Sequence, residues 1–301
     1  MLEFKDIGIE DKALFDQYTQ CHGYHNLEAC FGNVFLWRQA WHIRIATDEL
    51  AMYLLMDKGE YPAFMIPPFL IDCDSNIGEP IRRCEAYMKA EYGSPLYFKG
   101  VTTQFKETIE RDCPGEFAFT QDRANYEYVY LSDDLVNLVG KKYHSKRNHI
   151  NKLLKNHTFE YRRNNGEFDA QCIALQKKWI EDKGGMSSDY ADELFVTQQA
   201  FEYAEALGIV CGLLFVGGAL EAFSLGQQHG EDMAVIHIEK ADPNLQGSFP
   251  LINREFVRSE WTHLKYINRE EDMGIEGLRR AKMSYNPAFL LEKYDCVRAK
   301  P

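Results

Sequence analysis

The sequence predicts a mixed α/β (α+β) protein of two consecutive domains, each a mixed, mostly antiparallel sheet flanked by helices. Three observations carry this. A chain of 301 residues is about twice the ~150 residues of a common single domain. Its 45% hydrophobic and 27% charged residues match globular proteins rather than disordered or fibrous ones. Both halves run through hairpin strands, a third strand, a helix, a strand and another helix, as a duplication would. The boundary is expected near residue 125, giving domains 1–125 and 126–301.

In the first half, alternation of apolar and polar residues predicts strands at 43–47, 51–56 and 62–66, a helix over 78–91 and a strand at 96–101. A helix over 103–111 and a strand pair within 116–131 would close this unit. Pro67 and Pro68 are expected to end or splay the third strand, because proline cannot donate to a ladder. The second half predicts helices at 141–156, 168–182, 190–207, 249–261 and 276–284. Its strands are expected at 158–163, 209–216, 219–226, 233–240, 264–269 and 288–295. Gly217-Gly218 sits between two strand runs and supplies the positive φ angles of a tight hairpin turn. Pro250 falls in the first turn of its helix, where a missing N–H costs nothing.

Composition excludes several classes. The first residues are charged and lack an apolar leader core, and the uncharged run 209–220 spans 12 residues, short of the ~18 that cross a bilayer. No transmembrane segment is therefore expected. Eight cysteines without a CxxC pair read as reduced, buried thiols in a cytoplasmic protein. Cys21, His22, His25 and Cys30 lie close together, but their spacing fits no familiar zinc knuckle, and no metal is expected. A net charge of -12 disfavours general nucleic-acid binding. The exception is Lys141–Phe159, with six Lys or Arg, three His and no acid. That run is either a solvated helix face or a contact for a phosphate-bearing donor, with Lys146 and Arg147 as candidates.

Candidate chemistry concentrates late in the chain. Unpaired N–H groups at the start of the helix near 249 can cradle a pyrophosphate, so Gln246, Gly247, Ser248 and Phe249 are donor-binding candidates. Gly247 and Ser248 would serve equally as a plain helix start. His237 and Glu239 alternate on the strand before it, where either can take a proton from an attacking amine or hydroxyl. Ile238 between them is a backbone donor candidate, and Tyr285 can protonate a leaving group. Asn268, Glu271 and Asp272, followed by Arg279, Arg280 and Lys282, gather charges at a strand end suited to a charged substrate. The bland reading is dipole capping and a solvated basic face. There is no HExxH and no GxSxG.

These residues carry a resemblance. Phe31-Gly32-Asn33-Val34-Phe35-Leu36-Trp37, Lys142-Tyr143-His144-Ser145-Lys146-Arg147-Asn148-His149-Ile150, and Asn268 with Glu271 to Arg279, Lys282 and Pro287 resemble the phosphatidylglycerol lysyltransferase C-terminal domain family, along nearly the whole chain. Members use tandem GNAT folds, like the peptidoglycan-bridge aminoacyltransferases. Against the GNAT pyrophosphate loop Q/R-x-x-G-x-G/A, the segment Asn244 to Phe249 keeps only the central glycine. The resemblance implies transfer of an aminoacyl group from charged tRNA to a lipid head group, with the acidic pair and basic residues of the late motif lining the site. The membrane-spanning part of the lipid-modifying enzymes does not occur in these residues, so a small-molecule acceptor and an acyl-CoA donor fit as well. The expectation is an acyl- or aminoacyltransferase using aminoacyl-tRNA or acyl-CoA. Asp272, Glu239 or His237 would be its base and Tyr285 its acid. The competing class is a binding or regulatory protein that keeps the fold without the chemistry.

Overall fold

The computed structural model describes residues 2–19, 23, 25–59, 62–72 and 74–299. Its chain divides into two compact units: Met1–Glu127 with Glu271–Ile275 and Leu291–Pro301, and Tyr128–Glu270 with Glu276–Leu290.

The first unit holds β1 (Lys5–Asp6), β2 (Ile43–Thr47), β3 (Ala51–Met56), β4 (Phe64–Leu70), β5 (Tyr97–Thr102), β6 (Phe117–Gln121) and the late strand β14 (Lys293–Arg298), in the order β1-β2-β3-β4-β5-β14-β6. Strands β2 and β3 fall where alternation places them. Strand β4 does not end at its prolines but continues to Leu70. The register pairs Met52 with Phe69 and Leu54 with Ile66, so Pro67 and Pro68 together face Tyr53 in a bulge. A bulge takes residues out of the ladder, and that is where proline is tolerated. On its other edge β4 pairs with β5 in parallel at Met65 and Phe98.

The second sheet holds β7 (Glu127–Leu131), β8 (Phe159–Arg163), β9 (Val210–Val216), β10 (Ala219–His229), β11 (Met233–Ala241), β12 (Tyr266–Asn268) and β13 (Phe289–Leu291), ordered β13-β7-β12-β11-β10-β9-β8. Gly217 and Gly218 turn β9 into β10 with φ of 61° and 88°. Helix Ser248–Phe256 lays Leu251, Ile252 and Phe256 against the sheet beside Ile150 and Leu153 of helix His144–Asn156. Both helices present apolar residues at spacings of three and four, the stripe a sheet-covering helix needs.

Two expectations are corrected. The strands expected within 116–131 do not pair: β6 edges the first sheet, while β7 lies antiparallel to β12 in the second. The strand expected at 288–295 is two strands in different sheets. Its second part, β14, inserts between β5 and β6, so Leu291–Pro301 groups with the first unit rather than with 126–301. Such long-range pairing leaves no mark in local periodicity.

Candidate active site

The site is built by an interruption in the second sheet. Along β11 the register to β10 slips: Leu225 faces Ile238 and Gly226 faces Ile236, leaving His237 as the extra residue of a bulge. Bulges re-aim a side chain and take backbone groups out of the ladder. On its other edge β11 runs parallel to β12, and that ladder ends at Val235 and Asn268. His237 lies just past the last pair of that ladder, at the carboxyl end of β12, the end at which open sheets hold ligands.

Asn268 is fully buried, and its Oδ1 accepts the backbone N–H of Glu270 at 2.9 Å. Such a turn suits Asn, whose short side chain can bond backbone two residues ahead. It holds Glu270 at φ 59°, left-handed for a residue with a side chain. The Glu270 carboxylate lies 3.0 Å from His237 Nδ1. His237 Nε2 is buried and without a partner among the described residues. With Nδ1–H donating to Glu270, Nε2 is the nitrogen that carries the lone pair.

Beside this dyad, Glu239 accepts from Arg269 Nη2 at 2.8 Å and from Asn253 Nδ2 at 3.1 Å. Ser224 faces Glu239 across the β10–β11 ladder. Ser224 Oγ, Asn253 Oδ1 and Arg269 Nη1 are buried and unpartnered among the described residues. Burial works against the charge of Arg269, yet Glu239 and the Tyr285 and Tyr130 phenols outweigh it and hold the guanidinium above its ordinary range. The guanidinium carbon lies 4.7 Å from the Tyr285 ring centre, and Lys146 Nζ lies 3.8 Å from the same centre. Burial, reinforced by Arg269 and opposed by Glu239, pushes the Lys146 ammonium down to about 8. Burial pushes the Tyr285 phenol up, so it keeps its proton at neutral pH. Lys282 Nζ donates to the Arg269 carbonyl at 2.5 Å and its own carbonyl accepts from Tyr130, fixing the end of β12.

The structure thus gathers His237, Glu239, Asn268, Tyr285, Lys146 and Lys282. Others fall elsewhere. Asp272 groups with the first unit, wholly buried, its carboxylate accepting from Arg123 at 3.2 Å and from the Gly274 N–H at 2.9 Å. Glu271 belongs to that unit too. Arg147 donates to the carbonyls of Leu138 and Gly140, and Arg280 pairs with Glu276 at the surface. Arg279 is on that same short helix. Gln246 accepts from Lys152, and Ile238 is buried in the ladder opposite Leu225. Ser248 Oγ donates to the Asp242 carbonyl and Phe249 packs on the core. Gly247 has φ 103°, and a Cβ there would stand 2.5 Å from the His149 carbonyl oxygen. Close packing of two helices is thus sufficient reason for this glycine. Asn253 and Ser224 escape the sequence reading, which takes Arg269 and Glu270 only as part of the charged strand end and gives them no role of their own. Only Asn268, two residues before Glu270, is a signal of the turn.

Six cysteines, Cys30, Cys84, Cys113, Cys172, Cys211 and Cys296, are buried thiols. Cys21 and His22 of the early cluster lie outside the described residues. Among the described residues no group of three His, Cys, Asp or Glu is placed to hold a metal, and no helix is long and apolar enough to cross a membrane.

Comparison with known proteins identifies the family and the fold. The profile described as phosphatidylglycerol lysyltransferase, C-terminal, matches residues 22–297. A conserved protein of unknown function from Bacteroides thetaiotaomicron has the same fold with TM-score 0.90 and 31% identity, over 99% of this chain and 100% of that one. The structure of FemX aligns with TM-score 0.64 and 11% identity over 97% and 96% of the two chains. A tandem GNAT protein from the clavulanic acid biosynthesis pathway aligns with TM-score 0.53 and 10% identity over 100% and 99%. The fold is therefore a tandem GNAT-like one. An uncharacterized protein of Mycoplasmoides gallisepticum is 24% identical over 173 residues, 56% of this chain; the match spans about half (54%) of that curated relative.

Proposed function

We propose, from the premise that this chain belongs to the phosphatidylglycerol lysyltransferase C-terminal family, that it transfers an aminoacyl or acyl group from an activated donor to an amine or hydroxyl. The observation that carries this reading is the His237–Glu270 pair at the bulge, with Nε2 unpartnered. His237 Nε2 takes the proton of the acceptor N–H or O–H as its nitrogen or oxygen attacks the donor carbonyl, and Glu270 holds the imidazole in the required tautomer. Backbone N–H groups released at the bulge stabilise the tetrahedral oxyanion. The C–O or C–S bond of the donor then breaks, and Tyr285 gives its proton to the leaving ribose hydroxyl or thiol. Glu239, tied to Arg269 and Asn253, orients these groups rather than acting as base. Asp272 serves the fold through Arg123.

Of the two donors, aminoacyl-tRNA is favoured. Coenzyme A relies on the loop before helix Ser248–Phe256, and here Gly247 packs against His149. That donor places the reaction in the cytoplasm, with a small-molecule or lipid head-group acceptor. The test supplies labelled aminoacyl-tRNAs and, in parallel, labelled acetyl-CoA together with an extract of small metabolites and lipids. Label passing from tRNA into the acceptor fraction is expected. Label passing from acetyl-CoA alone would reassign the donor, and none from either would leave a binding protein that keeps the fold.

A further inference from the structure

We propose that Lys146 and Arg269 together form a receptor for an oxyanion, a carboxylate or phosphate group carried by a substrate, held against the Tyr285 ring. The assignment of that anion to a substrate rests on the transferase reading; the receptor itself does not. Both cations contact the same ring, Lys146 Nζ at 3.8 Å and the Arg269 guanidinium carbon at 4.7 Å from its centre. Arg269 uses Nη2 on Glu239, while Nη1 is buried without a partner. The second oxygen of Glu239 is engaged by Asn253. Among the described residues Lys146 has no carboxylate at ion-pair distance. Glu239 is thus the carboxylate that Arg269 pairs with, Tyr285 adds a hydrogen bond to the guanidinium, and neither Arg269 Nη1 nor the Lys146 ammonium meets a carboxylate among the described residues.

An uncompensated charge withdrawn from water is costly and is found paired or bound to a ligand. A planar guanidinium edge beside an ammonium is suited to oxygen anions, which accept from both. Neighbouring cations do not share the arrangement. Arg147 is spent on backbone carbonyls, Lys282 on the Arg269 carbonyl, Lys142 on Asp134 and Arg280 on Glu276.

The receptor is also gated by pH. The groups that act on Lys146 are Arg269 from the end of β12, Glu239 from β11 and the Tyr285 ring. Lys142 and His149 lie one turn away on its own segment. Since burial and Arg269 bring Lys146 down to about 8, the ammonium is lost, and with it half of the receptor, as pH rises through that value.

The test titrates the purified protein with sulfate and with acetate, both of fixed charge between about pH 6 and 9, at constant ionic strength. The variants are Lys146→Met and, as a surface control, Arg280→Gln. Binding of at least one anion is expected near pH 6.5, weakened about tenfold or more by Lys146→Met and by raising pH to 9, and unchanged by Arg280→Gln. Glycerol phosphate and vesicles of phosphatidylglycerol then separate a free from a lipid-borne phosphate, and either response supports the receptor. No binding of any anion, equal binding by Lys146→Met, or affinity flat across pH would overturn it. Anion binding with no transfer activity defeats the transferase reading and spares the receptor; transfer without anion binding does the reverse.

Discussion

The two sheets repeat one plan, with three antiparallel strands followed by a parallel neighbour, but the polar groups at the two junctions are spent differently. In the first unit, beside β5, Lys293 Nζ sits 2.6 Å from Glu28 and 2.5 Å from Glu127. Glu28 also accepts from Asn26 and Glu127 from the Leu27 N–H. Burial works against the Lys293 charge, but Glu127 and Glu28 outweigh it and hold the ammonium above its ordinary range. Gly100, at φ 65°, leaves the space that Glu28 fills. In the second unit the corresponding corner keeps His237 Nε2, Ser224 Oγ, Asn253 Oδ1 and Arg269 Nη1 buried and unpartnered. Buried polar atoms cost free energy unless satisfied. The first junction is an internal brace, whereas the second keeps polar atoms in reserve, which is what the proposed transfer site requires. Equivalent topology thus does not mean equivalent chemistry.

That contrast can be broken or sharpened by substitution. Lys293→Ala leaves two carboxylates buried without their cation and should destabilise the fold by about 3–5 kcal/mol in chemical denaturation; a change below about 1 kcal/mol would mean the triad is no brace. Glu270→Gln should reduce transfer by about 10²-fold, with the denaturation midpoint nearly unmoved, because it disturbs the orientation of one imidazole and not the core. Gly247→Ala combines a disfavoured φ with a collision at the His149 carbonyl, so a loss of about 1–3 kcal/mol is expected whether or not donor is present. An effect on donor binding with stability unchanged would instead restore Gly247 to the donor site.

A pH-dependent effect concerns Lys146. Its folded-state value of about 8 is below its ordinary 10.5, so between these values the unfolded chain holds more protons and stability rises with pH. Lys146→Met should therefore be more stable than the parent at pH 7, with the advantage shrinking to nothing above about pH 10.5. A variant destabilised equally at all pH values would show that the lysine contributes packing alone.

Local pattern made much of this fold legible. Strands β2 and β3, the Gly217-Gly218 hairpin and the helix opened by Pro250 are set by residues within a few positions of one another. The prolines of β4 misled because the bulge that accommodates them belongs to the pairing with β3. The division of the last strand depends on partners far back in the chain, including the buried pairing of Lys293 with Glu28 and Glu127. At the candidate site, His237, Glu239, Asn268, Tyr285 and Lys146 are singled out by residue type and position, and the fold brings these side chains together. The pairing of Glu270 with His237 could not be read, because the left-handed backbone that aims Glu270 follows from a side-chain hydrogen bond. Asp272 attracted notice as an acid in a motif, yet its buried bonds to Arg123 and the Gly274 N–H identify a structural turn.

The most direct measurement compares transfer from labelled aminoacyl-tRNA or acetyl-CoA by the parent chain, Glu270→Gln and Glu127→Gln under one set of conditions, with folding verified for each. The account predicts transfer by the parent and by Glu127→Gln, and a loss of about 10²-fold in Glu270→Gln. Transfer that survives Glu270→Gln and disappears in a folded Glu127→Gln would put the chemistry in the first unit and contradict it.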